Sequence, residues 1–401
     1  MWTHNNNFKE FSMIYLGIDV SKFKHNCFLA DEDDFDKGCH FEIKNSKEGF
    51  EYLLRKLSDF NKDKIRIGLE STGHYHLNLS RFLLDLNFNI HFFNPYQTSL
   101  YRKADSFRNT KTDKVDAFFI AKLLRATGSN PTHNELYHNY ELKSLTRYKS
   151  SLKNDRAKLK NTIVGNLDLI FPELDKVCKD VFCKYTLEVL KEYPSVDKIA
   201  NANLTRLTNL IKKASNGSHS KDKAREIREA ARKSIGLNSP AVSFRLVQDI
   251  KALEFLIEQI DEVNEQIKAL LDEMDNPIMS IPGVGIEIGP SLIAEIGNIE
   301  NFESPSKLLA YAGLDPSINQ SGTMNSSYSS MSKRGSSYLR DALFLAAFLI
   351  CQNDETFRLY YEKKKSEGKH HYVALTNVAR KLTRVIFYLL KNNQKFVSQS
   401  S

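Results

Sequence analysis

Four acidic residues stand at positions that are typical of a metal site. Asp19 lies in the first apolar alternation of the chain, beside the small Gly17, and Glu70 ends a later alternation. Asp113 and Asp116 follow, where a helix is expected to begin. Because side chains at i and i+3 share one helix face, both of these carboxylates can point at the same place. Carboxylate oxygens are the ligands that Mg²⁺ prefers, and two such ions about 4 Å apart can stabilise the attacking and leaving oxygens of a phosphodiester.

Each acid also has a plainer interpretation. An acid at the end of a strand often belongs to a turn, and acids in the first turn of a helix are favoured by the helix dipole. What favours a metal site is the joint placement of one acid on the first strand, one at a later strand end and a pair that opens a helix. Four crowded carboxylates would raise one another's pKa unless cations neutralised them. The spacing alone leaves both interpretations open.

The segment that carries these acids is predicted to be a mixed sheet with helices packed on it. Apolar and polar residues alternate from Met13 to Val20, which indicates a strand. Ser46 is placed to cap an amphipathic helix, and residues 71–73 precede a second helix. Further strands are expected at residues 25–30, 40–44, 64–70 and 89–93. Strands that are followed by alternating strands and helices are typical of this architecture.

The middle of the chain is predicted to be helical, with one coiled-coil segment. Residues 216–220 are expected to form a loop and residues 221–233 a charged helix. Further on, apolar residues recur at alternating spacings of three and four, as in a heptad repeat. They are Leu246, Leu253, Leu256, Ile260, Val263, Ile267, Leu270 and Met274. Pro277 ends this segment, and a compact C-terminal region follows, with its last helix at about residues 371–391.

The predicted fold class is therefore α/β plus all-α. It combines a mixed sheet with flanking helices, a helical coiled-coil spacer and a small, mainly helical C-terminal domain. The expected divisions are a flexible N-terminus at residues 1–12, a catalytic domain at 13–130, a spacer at 131–276 with a candidate insertion at 172–240, a C-terminal domain at 277–391 and a tail at 392–401. Met1 and Met13 are both candidate start residues.

Composition narrows the class of protein. The 401 residues carry 57 Lys and Arg against 49 Asp and Glu, a formal net charge of +8, which slightly favours a polyanionic partner. No apolar run approaches the roughly 18 residues of a membrane span, and the N-terminus lacks a signal-peptide pattern. The five cysteines form no CxxC pair, so neither a disulfide framework nor a zinc site is expected. A cytoplasmic protein is expected.

Three groups of residues are candidate nucleic-acid contacts. Gly283 and Gly285, ahead of a helix, look like half of a helix-hairpin-helix whose backbone N–H groups can face a phosphate. One basic group contains Arg102, Lys103, Arg108, Lys111 and Lys114, interleaved with Tyr96, Tyr101 and Phe107. A second basic group contains Lys333, Arg334 and Arg340. Cations with aromatics suit unpaired or A-form nucleic acid. The plainer interpretations are an interhelical turn and a solvated surface.

Several motifs in order resemble the DEDD-type insertion-sequence transposases. The resemblance covers roughly residues 13–130 and 277–391. In the N-terminal half the matching motifs are Tyr15-Leu16-Gly17-Ile18-Asp19-Val20-Ser21-Lys22, Leu69-Glu70-Ser71-Thr72-Gly73-His74-Tyr75, Asn94-Pro95 and Lys111-Thr112-Asp113-Lys114-Val115-Asp116-Ala117. In the C-terminal half they are Ile281-Pro282-Gly283-Val284-Gly285, Phe302, Leu309-Ala310-Tyr311-Ala312-Gly313-Leu314-Asp315-Pro316, Gln320-Ser321-Gly322 and Ser332-Lys333-Arg334-Gly335 with Leu339-Arg340.

The resemblance implies a fold, a site and a mechanism. It implies an RNase H-like domain, similar to the Holliday-junction resolvases, whose acidic tetrad binds Mg²⁺ or Mn²⁺ through Asp19, Glu70, Asp113 and Asp116. It implies that Ser321, in the C-terminal domain of another subunit, attacks DNA and becomes covalently linked to it. It also implies that a structured noncoding RNA, the bridge RNA, pairs with donor and target DNA and guides an oligomer. The coiled coil is expected to hold that oligomer.

Two rival functions use some of the same features. A metal-dependent nuclease or junction resolvase would use the four acids with water as the nucleophile and would form no covalent bond. A catalytically inactive scaffold would bind nucleic acid and cleave nothing, although the complete acidic motifs disfavour it. Without the resemblance, Ser321 is one of several serines, and a Ser-Gly pair is most often a turn.

Overall fold

The chain forms two compact units, which divide between Leu136 and Tyr137. The computed structural model describes residues 12–70, 74–93, 95–105, 113–127, 136–272, 274–316, 320–321, 324–325 and 331–398. The predictions for residues 1–11, for Arg108 and for Lys111 lie outside these ranges.

The first unit is built on a five-stranded mixed sheet with the order β3-β2-β1-β4-β5. The strands are β1 (Ile14–Asp19), β2 (Lys24–Asp31), β3 (Cys39–Lys44), β4 (Ile65–Glu70) and β5 (Asn89–Phe93). β1 pairs antiparallel with β2, which pairs antiparallel with β3. β1 also pairs in parallel with β4, and β4 with β5. The predicted mixed sheet and all five predicted strands are confirmed.

Helices cover both faces of this sheet. Successive side chains of each strand point to opposite faces, so apolar residues on both faces can pack against helices. The helices are α1 (Lys47–Leu57), α2 (Leu77–Asp85), α3 (Pro95–Asp105) and α4 (Asp113–Thr127). Leu16 and Ile18 on β1 share a core with Leu53 of α1 and Leu83 of α2. Tyr15, on the opposite face of β1, belongs to a second core that α4 fills. Ser46 caps α1 as expected, since its hydroxyl accepts a hydrogen bond from the Gly49 amide at 3.3 Å.

The second unit is mainly helical. Its helices are α5 (Leu136–Ile170), α6 (Leu174–Val177), α7 (Lys184–Glu192), α8 (Val196–Ala200), α9 (Leu204–Ala214), α10 (Lys221–Arg232), α11 (Pro240–Asp272), α12 (Gly289–Ile296), α13 (Pro305–Ala312), α14 (Ser337–Asn353), α15 (Glu355–Ser366) and α16 (His371–Lys391). A short hairpin of β6 (Gln320–Ser321) and β7 (Met324–Asn325) lies between α13 and α14. The predicted charged helix after residue 220 and the predicted last helix are both confirmed.

The predicted heptad seam on α11 is buried within the chain. Leu246 and Leu253 share a core with Ile163 of α5, and Ile260 shares another with Leu152 of α5. A polar contact crosses the same interface, where the Asn166 amide donates to the Asp249 carboxylate at 2.9 Å. The seam therefore has a partner in its own chain, and an oligomer held through this seam stays a prediction.

Residues 172–240, for which the sequence predicted only a loop at 216–220 and a charged helix at 221–233, form helices α6 to α10. Their apolar residues, among them Leu190, Leu207 and Ile227, share one core with Ile163 of α5 and Leu246 of α11. The C-terminal helices share the other core with the opposite half of the same helix pair. The α5–α11 pair thus connects two separate hydrophobic cores of the second unit. Across the described residues, no helix has the length and apolar character that a membrane span requires.

Candidate active site

Two of the predicted acids end adjacent parallel strands. The register of β1 and β4 pairs Ile18 with Leu69, so the next positions along the two strands are Asp19 and Glu70. Neighbouring strands lie about 4.8 Å apart, and residues in register point to the same face of a sheet. The first unit therefore brings Asp19 and Glu70 together at one end of its sheet, on one face.

A close helix–strand contact brings the other two acids to this face. A Cβ atom on Gly17 would lie 2.5 Å from the backbone nitrogen of Ala121, and closer still to the backbone carbonyl oxygen of Ala117. The α4 backbone therefore lies directly on β1, two residues before Asp19. Asp113 and Asp116 stand in the first turn of the same helix. The sequence prediction that these two acids open a helix is confirmed.

Asn26 is a part of this site that the sequence analysis missed. It lies on β2 directly across from Asp19, and its side chain is only 3 % exposed. Its amide donates a long hydrogen bond of 3.5 Å to the Asp113 carboxylate. The two predicted strands on either side of the acidic turn already imply a hairpin. A register for that hairpin would have pointed to Asn26.

Helix α3 contacts two of the acids from one face. The Thr98 hydroxyl donates to the Glu70 carboxylate at 2.5 Å. The Arg102 guanidinium donates to the Asp116 carboxylate, and the two side chains are only 22 % and 20 % exposed. Thr98 and Arg102 are four residues apart and so share one face of the helix. The sequence marked Arg102 as a nucleic-acid contact, but the structure pairs it with an acid of the site.

The acidic side chains of this site are also the candidate metal ligands. Among the described residues, no three histidine, cysteine or acidic side chains are close enough to hold one metal ion together. The donor set still fits a hard divalent cation, since it offers carboxylate oxygens with amide and hydroxyl oxygens beside them. Asp19, Glu70, Asp113 and Asp116 are the residues that would hold it.

The predicted serine lies in the second unit, on a hairpin. Ser321 pairs with Met324 across a two-residue connection, and Pro316 bridges Met331 nearer the base. At the base, the Ser332 hydroxyl donates to the Asp315 carboxylate, and the Ser332 amide donates to the Asp315 carbonyl at 3.0 Å. The Ser321 side chain and Gly322 lie outside the described residues. Ser321 is therefore the last described residue of the first strand of a hairpin whose base is closed by the contacts of Asp315 with Ser332.

Arginine side chains of α14 and α16 hold the segment that leads into this hairpin. The Arg380 guanidinium donates to the Leu314 carbonyl at 2.7 Å, and Arg340 donates to the Ala312 carbonyl at 3.3 Å. Gly313 ends α13 with a φ of +66°, a left-handed conformation that favours glycine. Arg340 was predicted to contact nucleic acid. Its described partner is a backbone carbonyl beneath the hairpin.

A buried carboxylate supports the other end of the hairpin segment. Glu295 on α12 is 2 % exposed and accepts from Arg147 at 2.7 Å and from the Ser336 hydroxyl at 2.7 Å. Lys143 lies 3.7 Å away. Burial alone would raise the pKa of Glu295, but these hydrogen bonds and charges outweigh it and hold the pKa below its ordinary value. No sequence pattern had singled out Glu295.

The remaining predicted contacts occupy exposed turns and helix surfaces. Gly283 has a φ of +80° and packs against Leu349 of α14, whereas a Cβ on Gly285 would meet open space. Lys333 has a φ of +52° and is exposed, as is Arg334. Lys103 and Lys114 are exposed as well. These placements are compatible with phosphate contacts and with plain solvated residues alike.

Comparison with known proteins places both halves of the chain among mobile-element proteins. A family described as Transposase matches residues 16–172, and one described as Transposase IS116/IS110/IS902 family matches residues 275–362. The IS110 uncharacterized 43.6 kDa protein of Streptomyces coelicolor is 27% identical over 320 residues, which cover 72% of this chain and 73% of that protein. The IS116 uncharacterized 44.8 kDa protein of Streptomyces clavuligerus is 24% identical and covers 96% of each chain. A pilin gene-inverting protein of Moraxella bovis is 24% identical over 96% of this chain and 98% of its own.

Proposed function

Since this chain is a transposase of the IS110/IS116 family of insertion elements, we propose that it cuts and rejoins DNA through a covalent phosphoserine intermediate. The observation that supports the proposal is that Asp19 and Glu70 end adjacent strands while Asp113 and Asp116 open the helix that packs on β1, in the segment that matches the first transposase family. The proposed site combines these acids with Ser321 from the C-terminal domain of another subunit. The fold proposed for the first unit is RNase H-like.

The acids supply the metal-binding part of the proposed reaction. Asp19 and Glu70 end adjacent strands on one face, and Asp113 and Asp116 open the helix that packs there. A bound Mg²⁺ or Mn²⁺ would stabilise charge that develops on the phosphodiester and favour ionisation of the attacking hydroxyl. Asn26 orients Asp113 by its hydrogen bond, and α4 keeps the two helical acids close to the strand ends.

Ser321 is the proposed nucleophile. Its Oγ attacks the phosphorus, the bond from phosphorus to one nucleoside oxygen breaks, and that oxygen takes up a proton. The serine proton passes to a carboxylate of the acidic site, because a serine hydroxyl is a weak nucleophile that needs a base or a metal. Attack by a second nucleoside hydroxyl on the phosphoserine then rejoins a strand and restores the serine. The pairing of Ser321 with Met324, in a hairpin whose base is closed by Asp315 and Ser332, supports this role.

A relative's name favours rejoining over hydrolysis. The Moraxella protein is named for inverting a pilin gene, and inversion of a DNA segment requires that every cut strand be joined again. A covalent intermediate conserves the energy of the broken phosphodiester bond, whereas hydrolysis by water does not. We extend this chemistry to the present chain. We propose further that a structured noncoding RNA guides the reaction and that the exposed cations Lys103, Lys114, Lys333 and Arg334 contact nucleic acid.

Trapping on a suicide DNA substrate tests the serine. The unmodified protein is expected to give a denaturant-stable protein–DNA adduct with Mg²⁺ or Mn²⁺, and Ser321→Ala is expected to give none. Ser326→Ala removes a nearby hydroxyl of the same segment and is expected to keep the adduct. Asp19→Asn is expected to abolish it. An adduct that persists in Ser321→Ala would contradict the assignment, and hydrolysed ends from that variant would favour a nuclease. DNA binding without cleavage under every Mg²⁺ or Mn²⁺ condition would favour an inactive scaffold.

A further inference from the structure

The guanidinium group of an arginine already binds one acid of the proposed metal site. The guanidinium of Arg102 donates to a carboxylate oxygen of Asp116. About four fifths of each side chain is shielded from solvent, so the pair is screened less than an ion pair on the surface. Arg102 thus neutralises a carboxylate that a divalent cation would need.

The helix that carries Arg102 holds a second acid in the same way. One turn earlier on α3, the Thr98 hydroxyl donates to Glu70 at 2.5 Å, and Thr98 is only 8 % exposed. Both contacts come from one helix face, so they form and break together if α3 shifts as a body. One helix therefore engages two of the four acids of the proposed site.

We propose that Arg102 is a built-in counter-ion that competes with the divalent cation for Asp116. This inference rests on the proposed metal site. A carboxylate oxygen that accepts from a guanidinium has lost part of its capacity to coordinate a metal, so cation binding must break or loosen the ion pair. Because the free energy of the ion pair opposes metal binding, the apparent affinity of the site for the divalent cation is lower than it would be without Arg102.

The exchange would also change what Arg102 can do. A guanidinium matches the geometry of phosphate oxygens and binds them through two parallel hydrogen bonds. Once released from Asp116, Arg102 lies beside the acids with its donors free for a substrate phosphate. The site would then bind metal and nucleic acid in a coupled manner, and an empty site would keep both partners of the ion pair satisfied.

Manganese titration followed by electron paramagnetic resonance tests the competition without any enzyme turnover. Arg102→Gln removes the counter-ion and is expected to tighten Mn²⁺ binding about tenfold, which corresponds to about 1.4 kcal/mol. The matched control is Arg81→Gln, which removes the same charge from an exposed Arg–Asp pair on α2. It is expected to change the affinity less than twofold. Arg102→Met removes the same charge with another uncharged side chain, and it serves as a second variant with the same expected tightening if Arg102→Gln folds poorly.

The coupling is checked in an Asp116→Asn background. If Arg102 acts through Asp116, Arg102→Gln has little further effect on Mn²⁺ affinity there, which is the result of a double-mutant cycle for a direct pair. Unchanged or weaker Mn²⁺ binding by Arg102→Gln would overturn the competition, and so would equal tightening by Arg81→Gln. If neither the unmodified protein nor any variant binds Mn²⁺ saturably, the proposed metal site itself is wrong.

Discussion

Gly17→Ala is the substitution that should most directly move the two acids of α4, Asp113 and Asp116, away from the sheet. The added methyl group would lie 2.5 Å from the Ala121 nitrogen and closer to the Ala117 oxygen, whereas ordinary contacts begin near 3.4 Å. Both obstacles are backbone atoms, so no side chain can rotate away. Helix α4 must move by about 1 Å. Overpacking of this kind costs typically 1–3 kcal/mol, and we expect about 3 kcal/mol here because the backbone has to shift.

The same displacement should impair the chemistry as well as the fold. Asp113 and Asp116 belong to α4 and therefore move with it. A misplacement of about 1 Å in a catalytic group can lower a rate about 100-fold. We therefore expect Gly17→Ala to unfold at a lower urea concentration and to form the DNA adduct about 100-fold more slowly. Urea denaturation measures the first effect, and single-turnover trapping measures the second.

Gly165→Ala is the matched control. Gly165 lies inside α5, and a Cβ there would meet nothing within 4 Å. Replacing glycine by alanine in a helix interior stabilises by roughly 0.5–1 kcal/mol, so this variant should be slightly more stable and equally active. If Gly17→Ala unfolds and reacts like the unmodified protein, α4 does not lie on β1 as described. A destabilised variant with full activity would show instead that the rate does not depend on the position of α4.

Two further predictions concern the second unit. Glu295→Gln should lower the free energy of unfolding at pH 7 by about 2 kcal/mol, less than the usual 3–5 for a broken buried pair because Arg147 is partly exposed. Because the folded-state pKa of Glu295 lies below its ordinary value of 4.5, the carboxylate contributes stability above that pH and loses it as the pH falls through the folded-state pKa. Urea denaturation at pH 7 and at pH 3 should therefore show a shrinking difference, and a constant difference would refute the charge argument. Leu253→Ala should cost about 3 kcal/mol, since Leu253 is fully buried in the α5–α11 interface, and an unchanged urea midpoint would contradict that packing.

The strands of the sheet could be predicted because their apolar residues recur with the period of a strand. Leu16 and Ile18 alternate with Gly17 and Asp19, and this period-two pattern indicates both the strand and its two faces. The acids could be selected as a set because their types and positions agree with one chemistry. The side chains beside the acids could not be predicted in this way. Asn26 and Arg102 reach the site through strand register and helix packing, and a local sequence pattern contains neither.

The heptad shows a second limit. Its apolar spacing on α11 is plain in the sequence, but the helix that pairs with it is not. Along α5 the apolar positions are interrupted by polar residues that become buried, such as Lys149 beside Glu287 at 3.2 Å and Asn166 beside Asp249. A pattern search counts these residues as breaks, whereas the fold satisfies them with partners far away in the sequence. The sequence therefore predicted a coiled-coil helix without its intramolecular partner.

The length of the α5–α11 pair sets a distance that can be expressed in nucleic-acid units. At 1.5 Å per residue, the 33 residues of α11 extend about 50 Å. One turn of B-form DNA is about 35 Å, so the helix pair is as long as nearly one and a half turns. The core of residues 172–240 lies toward one end of this pair and the C-terminal core toward the other. A duplex contacted at both ends along the helix axis would thus be held at points about 15 base pairs apart.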